Sequence, residues 1–319
     1  MTGAQSRSAA ELRPPQRLHR YETAVSDSAR WTEYRPREGD IIVSTAPKCG
    51  TTWTQMAAAV LVHGPRLPAP LTRLSPWLDR ALEPLDTVLG ELDAQPWRRV
   101  IKTHTPLDGL PYYEEVSYLY CGRDPRDAFL SMMDNMRNAS PATMTAVFER
   151  LGVPQVAFPD DPNMFFRVWM TAPMHGWVED GFPTGSVFGA ARAFWPHRHL
   201  SNVHFLHYRD LRLDLPGELR RLAGFLGIVV ADRDLPALVE AASFAAMKAN
   251  ADETAPGAHL GEWSDNGAFF AKARLGAWRE VLTGENQALY AELAPRRAPP
   301  QLRAWLEGGR ALAGDPREL

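Results

Sequence analysis

Ile41-Ile42-Val43-Ser44-Thr45-Ala46-Pro47-Lys48-Cys49-Gly50-Thr51-Thr52-Trp53 runs from an apolar, β-branched stretch through a short loop into a helical pattern. Gly50 lets the backbone approach a ligand closely, and Thr51 and Thr52 bring hydroxyls beside the exposed N–H groups of a helix start. Unpaired donors and the helix dipole both favour a phosphate or sulfate at such a turn. Lys48 adds a full positive charge just before it. The pattern is not the usual nucleoside-triphosphate loop, which needs lysine directly after its last glycine; here Gly50 is followed by Thr51, and the lysine stands two residues upstream. A strand–turn–helix with an incidental lysine is the plain alternative for this window alone.

Outward from this stretch, short β-rich runs alternate with helical patterns. Residues 40–44 (DIIVS), 99–103 (RVIKT), 117–121 (SYLYC) and 202–207 (NVHFLH) read as strands. Helices are expected over about 51–62, 126–136, 165–178 and 217–226. The alternation predicts an α/β fold, a P-loop-like parallel β-sheet flanked by helices on both faces, with ligands beyond the strands' carboxyl ends. Residues 1–20 are polar and contain proline, which suggests a loose N-terminal arm; no repeat or linker divides 21–319, which reads as a single domain.

The 319 residues carry 35 Lys and Arg against 38 Asp and Glu. That balance gives no support for a nucleic-acid partner, so any anion site is local. Two cysteines, Cys49 and Cys121, make no disulfide framework. No stretch is apolar for long enough to span a bilayer, and the first twenty residues lack a signal-peptide core, so a cytoplasmic location is expected.

Three further strand ends bear chemistry. After 99–103, Lys102 and His104 lie two apart and share one face of the strand. A histidine there has a pKa suited to accepting a hydroxyl proton, although histidine is more often structural. In Gly122-Arg123-Asp124-Pro125-Arg126-Asp127, Asp124 suits a helix cap and Pro125 the first turn, with Ser131 one to two turns further on. Arg123 can grip a phosphate with its planar fork; the plain alternative is an Asp–Arg ion pair at a helix start. The fourth strand ends at His207-Tyr208-Arg209-Asp210-Leu211, where a tyrosine is ordinarily a packing residue. In Ser243-Phe244-Ala245-Ala246-Met247-Lys248, Phe244 and Met247 are spaced as core residues of one helix face.

Taken in order, these motifs resemble the cytosolic-type sulfotransferase family, which uses 3′-phosphoadenosine 5′-phosphosulfate (PAPS). The resemblance spans about 41–278. It implies that the stretch from Lys48 through Cys49, Gly50, Thr51 and Thr52 holds the 5′-phosphosulfate and that Trp53 stacks on adenine. The family usually has serine where this chain has Cys49. By the same resemblance His104 is the general base, Lys102 steadies the transferring group, and Lys48 holds the oxygen bridging sulfate and phosphate. Arg123 and Ser131 are implied for the 3′-phosphate, Tyr208, Phe244 and Met247 for the base, and Ser243, in the same motif, is implied as a further cofactor-binding residue. PAPS is the co-substrate this implies, and the arrangement requires no metal.

The match loosens in Phe269-Phe270-Ala271-Lys272-Ala273-Arg274-Leu275-Gly276-Ala277-Trp278, where the family usually reads Arg-Lys-Gly before x-x-Gly-x-Trp. Lys272 is retained as an implied cofactor-binding residue, Ala271 and Ala273 replace arginine and glycine, and Arg274 is implied as the cofactor-binding substitute if the loop shifts. The family's dimer motif is poorly matched around 279–288, so no oligomeric state is implied. The implied partner is a small hydroxylated acceptor entering over His104, walled by residues from 66–96, 137–169 and 253–268. Trp77, Met133, Phe165, Phe166 and Trp169 are candidates for an apolar wall, each also a candidate for core. Phenol, sterol, lipid, sugar and peptide acceptors remain open, and a phosphotransferase or a silent nucleotide-binding protein are the rival readings. His197, His199, His204 and His207 lack partners in a metal-ligand spacing, and Asp160 and Asp161 read as a solvated turn between prolines.

Overall fold

The computed structural model describes residues 14–155, 159–270 and 274–319. The four apolar runs form β1 (Ile41–Ser44), β2 (Val100–Thr103), β3 (Ser117–Gly122) and β4 (Val203–His207). All pairings are parallel and the order is β2-β1-β3-β4, with Ile41 opposite both Val100 and Ser117. Side chains alternate across a strand, and here the alternation feeds two cores. Ile42, Ile101, Tyr118, Tyr120 and Phe205 face one; Ile41, Val43, Val100, Leu119 and Leu206 face the other. Helices Pro125–Asn138, Pro162–Thr171, Val187–Phe194 and Gly284–Arg297 cover the first face. Helix α1 (Thr51–His63) and Leu215–Leu226 cover the second.

Helix α1 is buried from Thr51 to Leu61 and stops at Gly64, whose φ is 86°. The expected helix over 165–178 is instead Pro162–Thr171. Asp161 caps it by accepting the Asn163 N–H (2.8 Å), so this aspartate is a helix start rather than a solvated turn residue. Pro173 lies just beyond and disfavours helical backbone at Ala172. The helix expected from Gly217 begins at Leu215, because Asp214 accepts the Gly217 N–H (3.0 Å) and Pro216 sits in the first turn. Within the stretch read as an arm, the Leu18 and His19 N–H groups both donate to the Asp108 carbonyl, and Arg17 donates to the Ser28 carbonyl.

The chain passes from β1 to β2 on one side, then crosses β1 to place β3 on the other. Loops leaving β1 and β3 therefore diverge, and the crevice between their carboxyl ends is where such sheets hold ligands. At the opposite end of the sheet the Arg99 guanidinium donates to both oxygens of Asp40, and Tyr34 and the Arg37 N–H add two more donors. That charge cluster is buried and matched.

Candidate active site

The loop after β1 turns through two residues with positive φ, Lys48 at 62° and Gly50 at 102°. A Cβ at Gly50 would stand 3.1 Å from Cys121 Sγ and 3.2 Å from Tyr208 Cδ2, so both conformation and space select glycine. The N-cap of α1 is Gly50, which has no side chain to accept its first N–H groups, and such groups favour an anion. Thr45 Oγ1 and Thr51 Oγ1 are 2.5 Å apart. Cys49 is turned into the first core, fully buried, and burial pushes its thiol up to about 12. Its side chain is packing; what the position offers a ligand is backbone.

A cavity of about 650 Å³ opens on this loop and is lined by Lys48, Gly50, Thr51, Thr52, Trp53, Lys102, His104, Arg123 and Ser131. His104 Nδ1 lies 2.8 Å from the Thr45 carbonyl oxygen. A carbonyl only accepts, so Nδ1 carries the proton and Nε2 is left as the acceptor of the ring. Burial, reinforced by the Lys102 charge, holds this imidazole down to about 3; the ring is neutral at ordinary pH, with Nε2 unprotonated. Lys102 Nζ sits 4.1 Å from the Trp77 ring centre, and the His104 ring meets the same indole edge-on at 4.9 Å. Burial lowers Lys102 to about 8. Lys48 Nζ donates to Asn135 Oδ1 (2.9 Å) and stands 3.9 Å over Phe269. Burial first, then the neighbouring Arg123 and Lys102 charges, lowers Lys48 to about 7.

At the end of β3, Asp124 pairs with Arg126 and accepts its N–H, so the helix-start ion pair is made by that arginine. Arg123 is left to the cavity. One of its terminal nitrogens donates to the Lys48 carbonyl (2.8 Å), its plane lies 4.0 Å over Tyr208, and its buried Nε has no hydrogen-bond partner among the described residues. A side recess of about 200 Å³ shares Arg123 and Ser131 with the main cavity and adds Asp127, Arg137 and Arg274. Arg274 is paired with Glu280 (2.6 Å) and half-exposed. Asp127 holds this tail by accepting the Gly276 N–H (2.7 Å). Lys272, Ala271 and Ala273 lie outside the described residues.

Trp53, Tyr208 and Phe244 form one aromatic cluster on the cavity wall, with Trp53 centroids 5.5 Å from Tyr208 and 5.8 Å from Phe244. Trp53 is fixed by donating to the Ala242 carbonyl (2.8 Å), and Met247 lines the same wall. Ser243 does not line the cavity; its hydroxyl accepts the Ala246 N–H (3.0 Å) and caps helix Phe244–Ala249. Of the five apolar wall candidates, Trp77 and Phe165 face the main cavity. Phe166 and Trp169 are core, while Met133 borders the side recess. Most of the remaining wall is apolar: Met132, Met136, Met144, Val147, Phe148 and Trp263.

Sequence reading missed 23–25, Asn135, Met174 and 182–184, which all line the cavity, because tertiary contact alone brings them there. The histidines set aside for metal have local roles. His207 accepts the Arg209 N–H and lies 3.0 Å from the Leu306 carbonyl oxygen, and His204 stacks on Phe225. Among the described residues no helix is long and apolar enough to cross a membrane.

A conserved-family profile described as the sulfotransferase domain matches residues 38–293. The glycolipid sulfotransferase of Mycobacterium bovis is 38% identical over 308 residues, covering 91% of this chain and 94% of that protein. Sulfotransferase 1A1 of Bos taurus is 25% identical, covering 83% and 85%. Among solved structures, retinol dehydratase in complex with androsterone and the inactive cofactor PAP superposes with a TM-score of 0.68 at 21% identity, over 86% of this chain and 84% of that one. A mouse sulfotransferase complexed with PAP gives 0.64 at 23%, over 86% and 89%. The chain belongs to the sulfotransferase family. It is a sulfotransferase enzyme built on a parallel four-stranded sheet flanked by helices.

Proposed function

We propose that this enzyme transfers the sulfuryl group of PAPS to a hydroxyl of an apolar, lipid-like acceptor. The observation that carries the reading is one continuous cavity. It joins the start of α1, an arginine whose buried Nε has no hydrogen-bond partner among the described residues, a neutral imidazole and a long apolar wall. Lys48, the 50–52 turn and Thr51 would hold the 5′-phosphosulfate end. Arg123 and Ser131, which border the side recess, would hold the 3′-phosphate, with Arg274 at its outer rim. Trp53, Tyr208, Phe244 and Met247 would enclose the adenine.

Bound there, PAPS supplies the sulfuryl group and leaves as adenosine 3′,5′-bisphosphate. His104 Nε2 accepts the acceptor's hydroxyl proton, and the Thr45 carbonyl stabilises the imidazolium that results. Lys48 offsets charge that grows on the oxygen bridging sulfur and phosphorus, and Lys102 holds the sulfuryl oxygens. Thr51 and the α1 N–H groups fix the phosphate, which turns a collision into an aligned displacement.

The acceptor reading rests on the wall. A cavity faced by methionine, valine and aromatic side chains buries an alkyl chain favourably, at about 25 cal/mol per Å² of apolar surface. The mycobacterial relatives are named glycolipid sulfotransferases, and a sugar hydroxyl carried on a lipid tail meets both parts of the cavity. The test is transfer of radiolabelled sulfate from PAPS to octyl glucoside, glucose and phenol. Labelled octyl glucoside with little labelled glucose sustains the reading. Equal labelling of all three removes the lipid part, and no transfer to any hydroxyl removes the function.

A further inference from the structure

Asp79 is fully buried and makes no ion pair among the described residues. Four side chains donate to it instead. Oδ2 accepts from Thr103 Oγ1 (2.6 Å), Thr105 Oγ1 (2.5 Å) and Trp31 Nε1 (3.1 Å), and Oδ1 accepts from Trp77 Nε1 (2.6 Å). Burying a carboxylate is costly unless its lone pairs are filled. A site that gathers four donors onto one is organised around the charge.

The donors' positions give the organisation a purpose. Thr103 and Thr105 flank His104, and residues two apart on extended chain share a face. Holding 103 and 105 on the inner face therefore turns 102 and 104 to the other, where the cavity lies. Thr103 also accepts the Thr105 N–H (2.9 Å), which locks the backbone beneath His104. The fourth donor, Trp77, belongs to a short stretch running beside β2: the Lys102 N–H donates to the Pro76 carbonyl, and the Leu78 N–H to the Lys102 carbonyl. Its indole is the surface against which both the Lys102 ammonium and the His104 ring rest.

We propose that Asp79 is a positioning residue for sulfuryl transfer, whose carboxylate sets Lys102 and His104 toward one reacting centre by gripping the threonines behind them and the indole in front. The proposal rests on the function given above. Its charge has a second effect. Burial lowers the Lys102 pKa most; against it Glu262 raises it, Arg80 lowers it, and Asp79 and Glu83 raise it further. Removing the charge lets Lys102 lose its proton at lower pH.

Asp79→Asn keeps the shape and removes the charge. An amide nitrogen placed at Oδ2 faces the Trp31 N–H, and one placed at Oδ1 faces the Trp77 N–H; neither indole can accept. Steady-state kinetics with PAPS and octyl glucoside, beside calorimetric titration with adenosine 3′,5′-bisphosphate, test the role. The variant is expected to lose about 100-fold in kcat through misplacement of the reacting groups. Its bisphosphate affinity should be unchanged, and the alkaline limb of its kcat profile should move to lower pH. Thr105→Val, which removes one donor and leaves the charge, is expected to lose about tenfold without that pH shift. Wild-type kcat and an unmoved alkaline limb in a folded Asp79→Asn overturn the proposal. If that variant does not fold, wild-type kcat in Thr105→Val overturns it. Wild-type protein that transfers sulfate to no hydroxyl defeats the function itself, and both variants are then moot with it.

Discussion

The two ends of the sheet place basic side chains in opposite circumstances. At the amino end, Arg99 is buried against Asp40, with both carboxylate oxygens engaged. At the carboxyl end, Lys48, Lys102 and Arg123 are buried or nearly so, and none makes an ion pair among the described residues. Burial, which the nearby carboxylates only partly offset, lowers Lys48 to about 7 and Lys102 to about 8. A buried cation with its counter-ion is architecture. Three that line one cavity without an ion pair among the described residues favour an anionic ligand there.

That contrast is broken most severely at His104. His104→Ala should lower kcat by about 1000-fold, the middle of the range for a positioned base, while calorimetry shows unchanged affinity for adenosine 3′,5′-bisphosphate. Loss of binding in the folded variant would make His104 a nucleotide ligand instead. At the amino end the effect should be on stability alone. Asp40→Ala strands the Arg99 charge and should cost about 3–5 kcal/mol in urea unfolding; an unchanged midpoint would show that water already reaches the pair. Arg123→Ala should show the reverse, with little change in unfolding but about 1.5–3 kcal/mol less bisphosphate affinity.

Acidity sharpens the same contrast. In the folded, nucleotide-free enzyme Lys48 and Lys102 titrate near 7 and 8, against an ordinary 10.5. Between those values the unfolded chain binds more protons, so these two groups make the free enzyme more stable as pH rises from about 7 to 10. Of the two, only Lys48 is assigned to the phosphate end, so bisphosphate affinity should fall by about tenfold between pH 6 and 9 as Lys48 loses its charge, with proton uptake on binding at pH 8. Affinity that stays level or rises over that interval would mean Lys48 is not at the ligand. The smallest effect belongs to Cys49→Ser. Since the thiol is core, the change should lower stability by about 1–2 kcal/mol without strengthening nucleotide binding. A gain in affinity would put that side chain on the ligand.

The strands were legible because each is a short β-rich run, and a parallel sheet covered on both faces needs such runs. The turn between β1 and α1 was legible because glycine, lysine and threonine fall within one stretch after an apolar run. Helix Pro162–Thr171 was misplaced because its apolar residues were read through Pro173 and its Asp161 cap was taken for a turn. Ser243 was assigned to the ligand, but its hydroxyl is consumed by a helix start. Arg274 was offered as a replacement for a missing arginine, and it faces the recess already paired with Glu280. Asp79 and Asn135 escaped notice altogether. Nothing in Trp77-Leu78-Asp79-Arg80 announces that its carboxylate will meet Thr103 and Thr105, since those contacts exist only once β2 is paired.

Calorimetric titration with adenosine 3′,5′-bisphosphate and with adenosine 5′-monophosphate, both without magnesium, bears most directly on the carboxyl-end cations. Separate grips on two phosphates predict that the bisphosphate binds about 10- to 100-fold more tightly, the worth of one charged hydrogen-bonded contact. Equal affinities would contradict the account.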